Sequence, residues 1–160
     1  MRVPILMYHM VCKSSHPEER RYACTPAVFR RQMAYLRRTG YRVISLAELA
    51  KRLRDGKEPA DRSVVVTFDD GFRDNYLNAF PVLRAYGFPA TIFVVSGLMG
   101  QPSEWMARRG YPARELATGD ELRQMAENGI EIGSHTISHA ALDAADPEEI
   151  AREVCVSKDE

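Results

Sequence analysis

No run in this 160-residue sequence stays apolar for the roughly 18 residues that a membrane-spanning helix needs, so no transmembrane segment is expected. A charge excess of either sign is also missing. Twenty-two Lys and Arg stand against 22 Asp and Glu, which leaves no global field to attract nucleic acid or an anionic membrane. The pairs Arg30-Arg31, Arg37-Arg38 and Arg108-Arg109 are local exceptions, and the first two fall in a helical pattern that reads as a solvated face. Cysteine is scarce: Cys12, Cys24 and Cys155 are odd in number and lack C-x-x-C spacing, which argues against a disulfide framework and against a thiolate zinc site. The opening MRVPILMY is too short for a signal peptide and has no small-residue cleavage site. As written the chain reads as cytoplasmic, and as extracytoplasmic if a leader was removed.

What is present is ordinary globular material, 45% apolar and 28% charged, enough for one domain with a core. Strand and helix patterns alternate along it. Val3–Tyr8 is an apolar run ending at His9, and residues 10–24 read as an irregular polar loop. Thr25 and Pro26 open a helix that closes at Gly40. Tyr41–Ile44 reads as a strand, and Ser45 with Glu48 as a capping box for a helix stopping at Gly56. Ser63–Phe68 is a β-branched strand. The helix over 74–86 contains Pro81, which should kink or split it. Pro89–Val95 is another strand, and residues 97–117, with the lone Trp105, form a long connection. Thr118 and Glu121 cap a helix ending at Gly129, Ile130–Ser134 is a fifth strand, and Asp146, Pro147 and Glu149 open a last helix. Alternation of this kind predicts βαβ units around a parallel sheet, open or curling toward a barrel. A complete eight-fold barrel takes about 250 residues; five units fall short, and the expectation is a cut chain with two unpartnered sheet edges.

In parallel α/β folds catalytic groups gather at the carboxyl ends of strands. Three such ends carry titratable groups here: His9, the Asp69-Asp70 pair, and His135. His135-Thr136-Ile137-Ser138-His139 sets two imidazoles four apart, a spacing that on a helical turn faces one ion. Alone it reads equally as a hydrogen-bonded histidine pair. Asp69-Asp70-Gly71 sets two adjacent carboxylates behind a buried strand, where they repel unless water or a cation intervenes. A solvated Asp-rich turn is the competing reading. One Asp with two His leaves open coordination positions for water, and the combination favours a metal site.

Thr67-Phe68-Asp69-Asp70-Gly71 and His135-Thr136-Ile137-Ser138-His139 resemble the first two motifs of the polysaccharide deacetylases of carbohydrate esterase family 4. Met7-Tyr8-His9-Met10-Val11 resembles the branch acting on poly-β-1,6-N-acetylglucosamine. The resemblance covers residues 3–160 and implies a distorted, parallel-stranded (β/α) barrel, incomplete here at about five units, with a deacetylase domain over 1–160 as its N-terminal and central part. It implies Asp70, His135 and His139 as ligands of a divalent transition metal, zinc foremost, with Asp69 as general base and His9 as general acid. An imidazole, with an unperturbed pKa of about 6.5, is suited to that acid role. The implied activity is hydrolysis of N-acetyl groups on a polysaccharide or oligosaccharide. The alternatives are an O-acetyl carbohydrate esterase and a truncated, non-catalytic metal- or sugar-binding domain. The family's third motif and its later tryptophan and leucine motifs would lie beyond Glu160, and Gly119 stands where many relatives carry tryptophan. His16 reads as solvated, Trp105 as a sugar platform or core cover, and Tyr76, Phe80 and Leu83 as core.

Overall fold

Three consecutive valines in Ser63–Phe68 (β3) can be buried on both faces of a sheet, and all six residues of that strand are. The computed structural model describes residues 2–14 and 16–159. Around β3 stand Ile5–Tyr8 (β1), Arg42–Val43 (β2), Ala90–Val94 (β4) and Ile130–Ser134 (β5), every pairing parallel, in the order β1-β3-β4-β5 with β2 against the start of β3. The chain is therefore α/β with an open parallel sheet, an incomplete barrel edged by β1 and β5. β1 leaves Ile5 and Met7 50% and 62% exposed on one face.

One face carries the main core. Leu6 and Tyr8, Val64, Val66 and Phe68, and Ala90, Ile92 and Val94 alternate toward it. The helices Pro26–Arg38 (α1), Phe80–Tyr86 (α3) and Gly119–Glu127 (α5) cover it with Phe29, Met33, Leu83, Leu122 and Met125. On the other face Val65 meets Ile44 and Leu49, the latter from helix Leu46–Arg54 (α2). The N-terminus of α2 is met by Glu131, whose carboxylate accepts from the Ala47 N–H at 3.3 Å and from Thr91 Oγ1 at 2.7 Å, as a helix dipole favours.

The expected caps form at Thr25, Thr118 and Asp146, the second as a full capping box. At Ser45 only half a box forms: the hydroxyl accepts from Glu48 N, while the Glu48 side chain turns to Arg52 at 2.8 Å. Pro81 is the second residue of α3 and directly follows a wide π-helical turn over Asn75–Ala79, so the helical stretch is divided there into two segments, as its missing N–H leads one to expect. The long connection contains a short helix, Glu104–Arg108 (α4), and among the described residues no helix is long and apolar enough to cross a membrane. The 10–24 segment is not a free loop. It carries a 3-10 turn, Glu18–Arg21, whose fully buried Glu19 meets Arg114 at 2.6 Å.

The last helix, Pro147–Asp159 (α6), is fastened to β5 by Ser157 and Ser134 at 2.6 Å and by Glu153. Glu153 is 0% exposed and accepts from Ile137 N at 2.8 Å, Ser138 N at 2.9 Å and Ser138 Oγ at 2.9 Å. Burial alone would raise the pKa of its carboxyl, but those hydrogen bonds outweigh it and hold it below the usual range. Glu153→Leu leaves two N–H groups of the loop without acceptors at about 1–3 kcal/mol each, so urea denaturation should show a loss of roughly 2–6 kcal/mol. Because the folded pKa is depressed, this contribution is present above the unfolded value of about 4.3 and disappears as pH falls through the folded one. Wild type should accordingly lose stability more steeply than Glu153→Gln in acid, and parallel pH profiles would contradict the assignment.

Candidate active site

Register decides which side chains meet. Tyr8 lies opposite Phe68, so His9 and Asp69 leave the sheet side by side, and Asp69 N donates to Tyr8 O at 2.9 Å. Val94 lies opposite Ser134, and His135 N donates to Val94 O at 2.7 Å. The backbone then does something a strand end alone does not. Asp70 has φ +74° and Gly71 φ +72°, reversing the chain where an added Cβ on Gly71 would lie 2.9 Å from Val94 Cγ1.

Residues 135–139 form no helical turn, contrary to the simplest reading of the four-residue spacing. They form a loop in which Thr136 and His139 have φ +67° and +59°. Left-handed backbone at non-glycine residues costs about 1–3 kcal/mol each, and the loop is braced accordingly. Thr136 Oγ1 accepts from His139 N at 3.0 Å, Glu153 holds Ile137 and Ser138, and Ser96 N and Gly97 N each donate at 3.0 Å to Thr136 O and Ile137 O. Gly97 permits that approach, since a Cβ there would stand 2.6 Å from Ile137 Cγ2.

The outcome is convergence. Asp70 Oδ1 lies 3.3 Å from His135 Nε2 and 3.1 Å from His139 Nε2. The three donors form the one group of possible metal ligands among the described residues, all within 4.8 Å of one another. Tetrahedral ligands at about 2.0–2.2 Å from an ion stand roughly 3.4 Å apart, so spacing and donor set both fit a zinc-like divalent ion. Asp70 is buried, which by itself raises a carboxyl pKa, yet hydrogen bonds from both histidines hold it well below the usual range. The Asp70 hydrogen bond raises the pKa of His135 against the effect of burial. Asp69, half-buried, is shifted upward by desolvation and by the charge of Asp70, with the imidazoles of His9, His135 and His139 opposing.

His9, Asp70 and His139 open onto a cavity of about 320 Å³ whose outer wall includes Tyr22, Tyr111, Met106, Arg21 and Arg109; Asp69 and His135 do not line it. The His9 ring lies 5.3 Å from that of Tyr22. Trp105 is no open sugar platform: it is 5% exposed and stacks flat on His139, centroids 4.6 Å apart and planes 8° apart. His16 is not simply solvated, for it packs edge-on against Tyr111 at 5.5 Å with Nδ1 buried. Phe80 and Leu83 are core as expected, with Tyr76 packed at its margin.

Sequence reasoning missed the groups that hold His9. Asp74 Oδ1 accepts from Val11 N, Asn75 Nδ2 donates to His9 O, and Asn78 Nδ2 donates to Val11 O, each at 2.8 Å. Their signal was three short polar side chains on a segment otherwise patterned as core, with Asn75 buried. Glu153 and the Trp105 stack, both remote in sequence from the motifs, had no comparable signature.

Comparison with known proteins agrees with this geometry. A family profile described as polysaccharide deacetylase matches residues 56–160. A Bacillus subtilis (strain 168) protein named "Putative polysaccharide deacetylase YxkH" is 32% identical over 157 residues, covering 98% of this chain and 50% of its own length. The poly-β-1,6-N-acetyl-D-glucosamine N-deacetylase of Escherichia coli (strain K12) is 31% identical over 132 residues, 79% of this chain and 20% of that protein. Among solved structures, the Streptococcus pyogenes deacetylase PplD in complex with acetate superposes with a TM-score of 0.80 at 31% identity, covering 99% of this chain and 67% of that one. The chain thus spans half or less of the length of these two curated relatives. With the profile matching about two-thirds of its residues and the motif side chains brought together at one end of a parallel sheet, the chain belongs to the polysaccharide deacetylase family.

Proposed function

We propose that this chain carries the N-terminal and central part of the deacetylase domain of a metal-dependent hydrolase that removes N-acetyl groups from a polysaccharide containing N-acetylglucosamine. The observation that carries this reading is the meeting of Asp70, His135 and His139 at 3.1–3.3 Å beside a cavity bordered by His9. Supporting it are the relatives named for N-deacetylation of poly-β-1,6-N-acetyl-D-glucosamine, and acetate, the product of such a hydrolysis, in the complex of PplD.

In this reading Asp70, His135 and His139 hold the ion. Once bound, a zinc-type ion supplies a water of pKa about 7 and polarisation of the acetyl carbonyl. Asp69 removes the proton as water adds to that carbonyl. Desolvation shifts its carboxyl upward, which makes it a stronger base than a solvated aspartate. The C–N bond then breaks, and the amine, a poor leaving group unless protonated, takes a proton from the imidazole of His9. Acetate and a free amino sugar are the products. Asp74, Asn75 and Asn78 keep His9 in place through the backbone around it.

The direct test pairs metal analysis of the full-length protein with acetate release from N-acetylglucosamine oligomers; metal uptake without acetate release would overturn the reading. Asp69→Asn should retain the metal and lose about 10²–10⁴-fold in turnover, since the base is gone while the ligands remain. Parallel loss of metal would instead make Asp69 a ligand. His9→Ala should lose about 10²–10⁴-fold on N-acetyl substrates but far less on an activated aryl acetate, whose leaving group needs no proton. Equal losses on both substrates would remove His9 from the acid role.

A further inference from the structure

A histidine that ligates a metal ordinarily fixes its ring by donating its other N–H to a carboxylate, a carbonyl or water. His139 departs from this. Its Nε2 faces Asp70 Oδ1 at 3.1 Å, but its Nδ1 is buried with no hydrogen-bond partner among the described residues. Its backbone, at φ +59°, offers no helical packing to hold the side chain either. On its Nδ1 side, therefore, nothing polar among the described residues helps the Asp70 contact to stop the imidazole from turning about its Cβ–Cγ bond.

Two ring contacts oppose that rotation, the edge-on ring of His135 at 5.3 Å and 61° and, closer and face to face, the flat stack of Trp105 on the imidazole at 4.6 Å and 8°. We propose that Trp105 is a positioning residue of the metal centre, its indole setting the ring plane of His139 in place of the missing hydrogen bond. The proposal rests on the metal-binding reading above. A ring turned out of that plane strikes the indole, which is itself held. It is 5% exposed and clustered with Met10, Phe72, Val95, Met106 and Leu116. Its helix is pinned at Ser103, which donates its N–H to Arg114 O and accepts from Arg114 N through Oγ, both at 2.8 Å. The Arg114 guanidinium is anchored in turn on buried Glu19. Phe72, two residues after Asp70, lies 6.2 Å from Trp105 at 44°. A chain of three rings thus connects the turn bearing Asp70 to the loop bearing His139.

The test is Co²⁺ titration of the full-length protein, followed by the ligand-field absorption of bound cobalt. Trp105→Leu should weaken binding by about 10–100-fold, the usual cost of removing a group that orients a ligand. Trp105→Phe, which keeps a flat ring, should lie closer to wild type. In a His139→Ala background Trp105→Leu should have no further effect, because the ring it positions is absent. A merely structural role predicts the opposite, an affinity loss of the same size with or without His139. Equal affinity of wild type and Trp105→Leu, or a loss that persists in the His139→Ala background, overturns the proposal alone. A wild-type protein that takes up no cobalt overturns it together with the metal-binding reading.

Discussion

A carboxylate as buried as Asp70 must be met by positive or hydrogen-bonding partners or else become protonated. Two imidazoles meet it on a single oxygen, Oδ1. Much else in the structure follows from bringing them there. They come from a different strand, β5, which joins β3 only through β4. A parallel sheet places the carboxyl ends of these strands on one edge, but it does not by itself turn Asp70 sideways or fold His139 back. Those two changes of direction are made by left-handed backbone at Asp70, Gly71, Thr136 and His139.

Three of those four residues are not glycine, and Thr136 is β-branched, the kind of side chain least tolerant of such a backbone. The conformation persists because the surrounding contacts over-determine it. Glu153 supplies acceptors for three donors of the loop, and Ser96 and Gly97 clamp its carbonyl groups from the end of β4. This explains why a carboxylate on α6 that bonds to none of the reacting side chains is fully buried. Its desolvation is offset by two backbone N–H groups and a hydroxyl that would otherwise lack acceptors.

The strands, the capped helices and the meeting of His9, Asp69, Asp70 and His135 on one edge were legible because they depend on local signals: β-branched runs, Thr25, Thr118 and Asp146 at helix starts, and polar residues directly after buried strands. That Asp70 in particular meets both histidines was legible only through the resemblance of the two motifs, and the local reason inferred for pairing the histidines, a helical turn over 135–139, was wrong. Period-based reasoning has no means of foreseeing φ +67° at a threonine whose stability comes from Glu153. The buried ion pair of Glu19 with Arg114 was hidden for a related cause. Its partners lie 95 residues apart, and each looks in isolation like a solvated charge. Asn75 and Asn78 were legible in principle, since amides on a core-patterned segment need acceptors, and the carbonyls of His9 and Val11 provide them.

The site therefore has two parts that the chain supports separately. The reacting groups stand on strand ends and are held by the sheet register, the left-handed turns and Glu153. The cavity wall is built from the 10–24 segment and the 97–117 connection, whose mutual support is the Glu19–Arg114 pair and the aromatic cluster around Phe72 and Met106. Substitutions in that wall, at Tyr22, Arg21, Arg109 or Tyr111, can change what fits the cavity without moving Asp70 or His135, because none of these four side chains bonds to either. Two ring contacts cross between the parts: Tyr22 against the imidazole of His9, and Trp105, which belongs to the wall by position and to the centre by its stack on His139. A wall rearrangement large enough to displace that indole reaches the His139 imidazole directly. Through that stack, the shape of the cavity and the geometry of the centre cannot vary independently.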